Sequence, residues 1–546
     1  MWRCAIIAIR AATRLTFSTT SRSTPMALTD EQMLEMNGIR LVPGFDGRVM
    51  DLGRYQPPVP PATPDEIPEI EWCSPARFER GDDAEVADVL LRRYLGPLVV
   101  HTAGMLWQYQ PDRRGWHPIS DAQMMAWCTS MAGADVYRGR TQDGEVRVKP
   151  LSMSAARARG AIAMAKSLCD HDEAAGDYWT RHITGHARGI AQFADRAVVV
   201  TQVASGELAV QVEDPKPEHR VRSMRVMPCR WPGMPDVTTF GADCPNTWAT
   251  AWAWWGHHGE EEAVARMQAV LEFIGASILG MAPTMSKALL LYGPGGTGKS
   301  TLIELMTRWC RPGAIAHITP QDMSDSRFAT AALDGAVLNV VDDLPAEPIS
   351  DAGDWKSAIT GGRIDVERKG RDRYGVVPTA GHLYASNRLP VAIKANSGFW
   401  RRWLVVEYDR VFADTADSRD VLGPMLEEMD RITAHAVAAF VATGGRGGRG
   451  YTRPACHARI MQQWEHISDS VAGFVSECVQ ASPAGRPQVL HPSRAQVYQD
   501  YRKWCAGHGR HPVARGELER RMEDAGFRKH RTGGVRRWDC AVVMDE

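Results

Sequence analysis

The residues with the most definite chemistry stand together: Gly293, Pro294, Gly295, Gly296, Thr297, Gly298, Lys299, Ser300 and Thr301. The first eight fit G-x-x-x-x-G-K-[ST] in full. The run Ala288-Leu-Leu-Leu-Tyr292 before them reads as a buried strand, and residues 300–310 after them read as a helix. Strand, glycine turn and helix in that order aim backbone N–H groups at one point and add the positive end of a helix dipole, so a polyphosphate is cradled. In such a loop the Lys299 ammonium neutralises the β- and γ-phosphates, and the Ser300 hydroxyl is offered to Mg2+. The cofactors expected are therefore ATP and Mg2+.

Three further groups complete a hydrolytic site. Ala336-Val-Leu-Asn-Val-Val341 reads as a strand, and Asp342-Asp343 follow at once, 43 residues after Lys299. One carboxylate is expected on the metal and the other on the attacking water; we assign Asp342 to the metal and Asp343 to the water. Leu383-Tyr-Ala-Ser386 leads into Asn387, an uncharged amide able to hydrogen-bond a γ-phosphate or the water. Arg401 and Arg402 precede the apolar run Trp403-Leu-Val-Val. An arginine given to a neighbouring subunit's γ-phosphate would stabilise transition-state charge; which of the two does so is left open.

These groups need an α/β scaffold, and residues 286–440 alternate strand and helix patterns as such a scaffold would. At roughly 100–200 residues per domain, 546 residues suggest three or four domains. Residues 29–69 form a proline-rich linker (PPVPPATPDEIP), 70–243 an α+β accessory domain, and 244–285 a helical collar with a broad apolar face. Residues 441–452 form a Gly-rich linker (GGRGGRG), and 453–546 a last unit. Residues 1–28 hold four Arg and no acid, like a mitochondrial transit peptide, but an over-called start with the true one at Met26 is the simpler expectation.

Composition excludes several classes. Net charge is −1, so nucleic-acid contact must come from local patches. With 54 Arg against 10 Lys, each lysine stands out, and five of the ten lie between Lys287 and Lys394. Eleven scattered cysteines include no C-x-x-C pair, so no structural zinc and a reducing compartment are expected. No apolar run is long enough to cross a membrane. The place expected is the cytoplasm of a bacterial or phage-infected cell.

The four parts between Gly293 and Arg402 resemble superfamily 3 helicases. The nearest likeness is the phage and plasmid primase-helicase family, related to the poxvirus primase-helicase. The resemblance is strong over 286–412. It is weaker over the accessory stretch 190–283, with Phe193-Ala-Asp-Arg-Ala-Val-Val-Val and residues 271–280, and over the tail 457–541, with Tyr498-Gln-Asp-Tyr-Arg-Lys-Trp-Cys505 and residues 534–538. It implies a multidomain α/β protein with an AAA+-like P-loop ATPase core, an α+β accessory N-terminal region and a C-terminal winged-helix domain. It also implies a homo-hexameric ring acting on single-stranded and forked DNA. Lys356, Gly361-Gly362 and the basic hairpin over 363–377 match the family's pore-lining segment, with Arg368, Lys369 and Arg371 at the tip. Cations on a protruding loop follow a phosphate backbone without reading bases. Primase activity is not expected: the lone D-x-D, Asp170-His-Asp172, follows a helical stretch rather than a strand.

At the C-terminus, residues 513–527 read as an amphipathic helix, Arg528, Lys529 and Arg531 follow, Gly533-Gly534 turns, and 535–543 read as a strand carrying Arg536 and Arg537. From Arg515 to Arg537 there are eight Lys/Arg and four acids. The expectation is duplex or fork binding, with the helix in the major groove and the wing on phosphates. Two other functions stay open: an ATPase that loads or remodels another helicase, and an origin-binding initiator using ATP as an assembly switch.

Overall fold

The computed structural model describes residues 78–102, 104–169, 179, 188–203, 206–325, 327–345, 347–349, 353–368, 373–393, 395–412, 420–444, 450–482, 487–508 and 510–543. The leader, the proline-rich linker, Asp170-His-Asp172, residues 445–449 of the Gly-rich linker, Lys369 and Arg371 lie outside them. The protein is mixed α/β, and among the described residues no helix is long and apolar enough to cross a membrane.

The centre is a five-stranded parallel sheet: β1 (Ala288–Tyr292), β2 (Ile315–Ala316), β3 (Leu338–Val341), then, beyond a hairpin of β4 (Ile364–Val366) and β5 (Tyr374–Val376), β6 (Gly381–Ser386) and β7 (Trp403–Glu407). Strand order across it is β2-β3-β6-β1-β7, every neighbouring pair parallel. β6 and β7 are buried along their whole length, as strands covered on both faces must be.

Period-two alternation sorts their side chains into two cores. Leu289, Leu291, Val340, Leu383, Ala385, Leu404 and Val406 face one core, shared with helices on that side. Those helices are α1 (Pro245–Trp255), α2 (Glu260–Ile278), α3 (Lys299–Arg308) and, after α4 (Gly353–Ile359), α5 (Met429–Ala442). Leu290, Tyr384, Trp403 and Val405 face the other, with Trp355 of α4 and Trp464. Fully burying one such side chain is worth about 1.5–3 kcal/mol, so the sheet is a rigid platform for whatever its ends carry.

α2 opens on Glu260, Glu261 and Glu262, which favour the positive end of the helix dipole. α1 opens on Pro245, whose missing N–H costs nothing there. Its next two amides, of Asn246 and Thr247, donate to the buried Glu428 carboxylate at 2.8 and 2.9 Å.

The accessory region divides by its cores. Val99–Thr102 and Met105–Gln110 pair as the expected hairpin, with Gly115–Ile119 as third strand. Around them Phe78, Leu90, Leu106 and Ile162 form a core of their own. The second sheet, Arg188–Gln192, Ala197–Gln202 and Leu208–Glu213, instead shares the core of α2 and the central sheet. At the C-terminus, α6 (Arg515–Asp524) leads into β8 (Lys529–Thr532) and β9 (Val535–Trp538). The single strand expected over 535–543 breaks at Asp539, whose N–H donates to the Arg528 carbonyl. Cys540–Val542 then pairs with Val479–Ala481 instead.

Candidate functional site

A parallel sheet sends the ends of all its strands to one edge, and where strand order reverses, a crevice opens beyond the carboxyl ends. Here β1 runs between β6 and β7 although it comes first in the chain, so the loops after β1, β3 and β6 meet at that edge. Of the residues expected to act on phosphate, the run 293–301, Asp342, Asp343 and Asn387 stand just past those three strands.

The loop after β1 is shaped by what surrounds it. Gly293, Gly296 and Gly298 have φ of 152°, 72° and 93°, where glycine alone is comfortable. A side chain on Gly293 would collide with the Tyr408 carbonyl, and one on Gly298 with the Trp254 indole. Tyr408 N–H donates to the Tyr292 carbonyl (2.7 Å) and Phe412 N–H to the Gly296 carbonyl (2.9 Å), so the segment after β7 clamps the loop along its length. α3 starts at Lys299, and its first-turn amides lack acceptors within the helix. Pro294, Gly295, Gly296 and Ser300 are exposed at this mouth, with Thr297 buried beneath and Thr301 half-buried.

Lys299 is buried, and its ammonium folds back into the loop. It donates to the carbonyls of Gly293 (2.7 Å) and Pro294 (2.6 Å) and to Asn387 Oδ1 (2.9 Å). Burial lowers its pKa, and the Asp343 carboxylate opposes that shift. Residues 88 positions apart thus meet. Asp342 and Asp343 are both exposed just past β3, and among the described residues neither forms an ion pair. Leu344 N–H donates to the Ala385 carbonyl (2.8 Å), fixing that turn beside the β6 end that carries Asn387. The arrangement is a cation among loop carbonyls, two uncommitted carboxylates and an amide, around a mouth lined by backbone N–H groups.

Arg401 and Arg402 are not brought to this mouth. They precede β7, at the amino edge of the sheet: the Arg402 carbonyl accepts from Ala288 N–H at 2.7 Å, at the start of β1. Five residues of strand, roughly 16 Å, separate them from the loop. Arg401 is exposed, while Arg402 is half-buried, with its guanidinium bonded to the Gly398 carbonyl and its pKa lowered by burial and then by Arg401.

The hairpin β4–β5 alternates as read from the sequence: Ile364 and Val366 are buried and Asp365 exposed. Two of its described arginines, though, are engaged. Arg368 pairs at 2.9 Å with Asp334, which also takes Arg222 at 2.7 Å and the Tyr374 hydroxyl at 3.0 Å. Burial pushes the Asp334 carboxyl up, but Arg222 and Arg368 outweigh it and hold it below the usual range. Arg222 in turn lies over the Trp107 and Trp179 rings at 5.4 and 4.9 Å. Arg373 pairs with Asp365 at 2.5 Å. Arg368 therefore anchors the hairpin base to the accessory region. Lys356 is half-buried on α4.

In the C-terminal unit the helix charges are likewise spent: Arg515 on Glu519, Arg520 on Glu517 and Asp524, Arg521 on Asp469. Lys529 lies 3.0 Å from Glu523 and over the Trp538 ring, and Arg537 donates to the His491 carbonyl at 2.7 Å. Arg528, Arg531 and Arg536 are exposed, and Arg531 stands directly opposite Arg536 in the β8–β9 register.

Trp254, Tyr408 and Phe412, which shape the loop, escaped the sequence reading; no local pattern ties them to a glycine run so far away along the chain.

Residues 291–402 match the model of a family of unknown function, DUF5906. No curated protein matches the chain. Among solved structures it is similar to the apo C-terminal region of NrS-1, residues 305–718. The identity there is 14% over 49% of this chain and 61% of that one, with a TM-score of 0.30. The A form of the apo NrS-1 C-terminal region gives 12% identity, 85% and 99% coverage and a TM-score of 0.37. At these values the site rests on its own geometry.

Proposed function

We propose that the protein is an ATP-dependent DNA helicase of the superfamily 3 type, working as a ring, with a homo-hexamer expected, in phage, prophage or plasmid replication. Its core would be a P-loop ATPase of the AAA+ kind and its last unit a winged helix. The observation that carries this reading is Lys299, buried between loop carbonyls and Asn387 beside two carboxylates that form no ion pair among the described residues. Such a lysine is released toward phosphate oxygens when a nucleotide fills the mouth. Ser300 and Asp342, on the same edge, would hold Mg2+, which would neutralise phosphate charge when bound. Asp343 would orient the water, and Asn387 would exchange its bond to Lys299 for one to the γ-phosphate or that water.

An arginine at the opposite edge of the sheet serves a phosphate only in another copy of the chain, and this supports an assembly with shared sites. Arg401, exposed, fits that part better than Arg402, which is bonded within its own chain. On this reading single-stranded DNA is gripped by Lys369 and Arg371, and duplex at the fork by Arg528, Arg531 and Arg536.

The test is ATP hydrolysis with and without single-stranded DNA, alongside the mass of the assembly. Lys299→Ala is expected to abolish turnover with the fold intact. Arg401→Ala is expected to bind ATP yet hydrolyse poorly, by roughly 10³-fold or more, and mixing the two variants is expected to restore some activity. Near-normal turnover in Lys299→Ala would end the proposal. Turnover that ignores DNA would favour the initiator instead.

A further inference from the structure

The short turn Gly256–His258 after α1 brings His257 and His258 against Asp409, the second residue past β7. Both imidazoles aim Nε2 at the one carboxylate, at 3.2 and 2.9 Å, and the ring centroids are 4.0 Å apart. The three donor atoms lie within 4.8 Å of one another. We infer that His257, His258 and Asp409 form a binding site for a zinc-like divalent transition metal.

Three features of the cluster support this. The first is spacing. Ligand atoms about 2.0–2.1 Å from a tetrahedral zinc are separated by about 3.3 Å. The carboxylate-to-imidazole distances already stand near that value, so an ion can enter with side-chain adjustment alone. The second is rigidity. The two segments that carry the ligands are tied together on both sides of the cluster. Trp255 Nε1 donates to the Glu407 carbonyl (3.1 Å), and the Arg410 guanidinium donates to the Ala253 carbonyl (3.0 Å). The side chains of all three are partly open to solvent, which leaves an entry path and room for a water in the fourth position. The third is ligand type: two imidazoles with one carboxylate suit zinc and its neighbours, whereas Mg2+ prefers oxygen ligands and its own waters. Such a site would stay distinct from the Mg2+ that accompanies ATP.

Its place gives it a consequence. Asp409 follows Tyr408, whose N–H donates to the Tyr292 carbonyl and whose own carbonyl fills the space a side chain at Gly293 would need. An ion at Asp409 would pin the wall of the phosphate loop. The cysteine spacing, which predicts no structural zinc, is silent about this set, because its carboxylate stands 151 residues from its nearer histidine.

The experiment titrates metal-free full-length protein with Zn2+ against a chromophoric chelator, in millimolar Mg2+, and follows thermal unfolding of the same samples. One site per chain is expected, with a rise in melting temperature on adding Zn2+. His258→Ala and Asp409→Asn are each expected to weaken it at least ten-fold, since even outer partners of metal ligands are worth about that much, and to lose the thermal rise. Stoichiometry and affinity unchanged in both variants, or no chelator-competitive binding in the parent, would overturn the inference. Neither readout depends on ATP hydrolysis, so the outcome is separate from that of the helicase proposal.

Discussion

Two hairpins, each carrying five basic residues, are used differently. In β4–β5 the arginines nearest the strands face acids: Arg368 meets buried Asp334 and Arg373 meets Asp365. In β8–β9 the cross-strand partner of Arg531 is Arg536, another arginine. Opposite charges across a ladder stabilise it and like charges directly opposite destabilise it. The first hairpin is thus built to stay docked. The second sets two exposed like charges side by side, a repulsion that a bound anion such as a phosphate backbone would relieve. A charge count already hints at this, with three acids over 363–377 and none over 528–538; asking what each charge meets explains it.

The largest expected effect tests the docked hairpin. Asp334→Ala would leave Arg222 buried against Trp107 and Trp179 without its carboxylate. Breaking a buried pair from one side costs about 3–5 kcal/mol, measurable as a lower denaturant midpoint. The pH dependence has a definite sign. Because Asp334 titrates lower in the folded protein than in the unfolded chain, its contribution is fully present above the ordinary carboxylate range. It is lost as pH falls through the lowered folded value. Acid unfolding of the parent should therefore be steeper than that of Asp334→Asn. Equal midpoints for parent and Asp334→Ala would show that the hairpin is not anchored there.

Next in size is the contrast in DNA binding. Arg531→Ala with Arg536→Ala should weaken duplex binding and reduce the slope of log K against log salt by about 0.9 for each phosphate that is no longer neutralised. Arg368→Ala should leave that slope unchanged, since its guanidinium is committed to Asp334. A slope that falls equally in both would erase the distinction between the hairpins.

Much of this was legible in sequence because it is local. The strand, glycine loop and helix of 288–308 are contiguous, and the alternation of Ile364 and Val366 needs only neighbours. That Lys299 and Asn387 each stand just past a strand was also legible; their direct hydrogen bond was not. What stayed hidden joins distant segments. Asp334 gains its meaning from Arg222, far earlier in the chain, and Asp409 from His257 and His258. Lys529 and Arg537 count as free cations in a charge sum, yet the fold commits them to Glu523, Trp538 and the His491 carbonyl. The break at Asp539 was hidden too: Cys540 leaves one sheet to join another, a choice that residues 535–543 alone do not encode.

The smallest expected effect is the most specific. If Arg531 and Arg536 repel across the ladder, replacing either should stabilise the C-terminal unit when no DNA is present. Threonine suits the exchange, because it is β-branched and fits a strand. Arg531→Thr should raise the melting temperature by roughly a degree or two, and Arg536→Thr should do the same. The double variant should gain less than the sum, because the repulsion is already gone after the first change. Raising the salt from about 0.1 M to about 1 M shortens the screening length from about 10 to about 3 Å, so the single-variant gain should shrink toward zero. With a duplex bound the order should invert, the parent becoming the most stabilised because its arginines then face phosphates. Single variants that melt below the parent in the absence of DNA, at low salt, would show that the two arginines serve the fold itself.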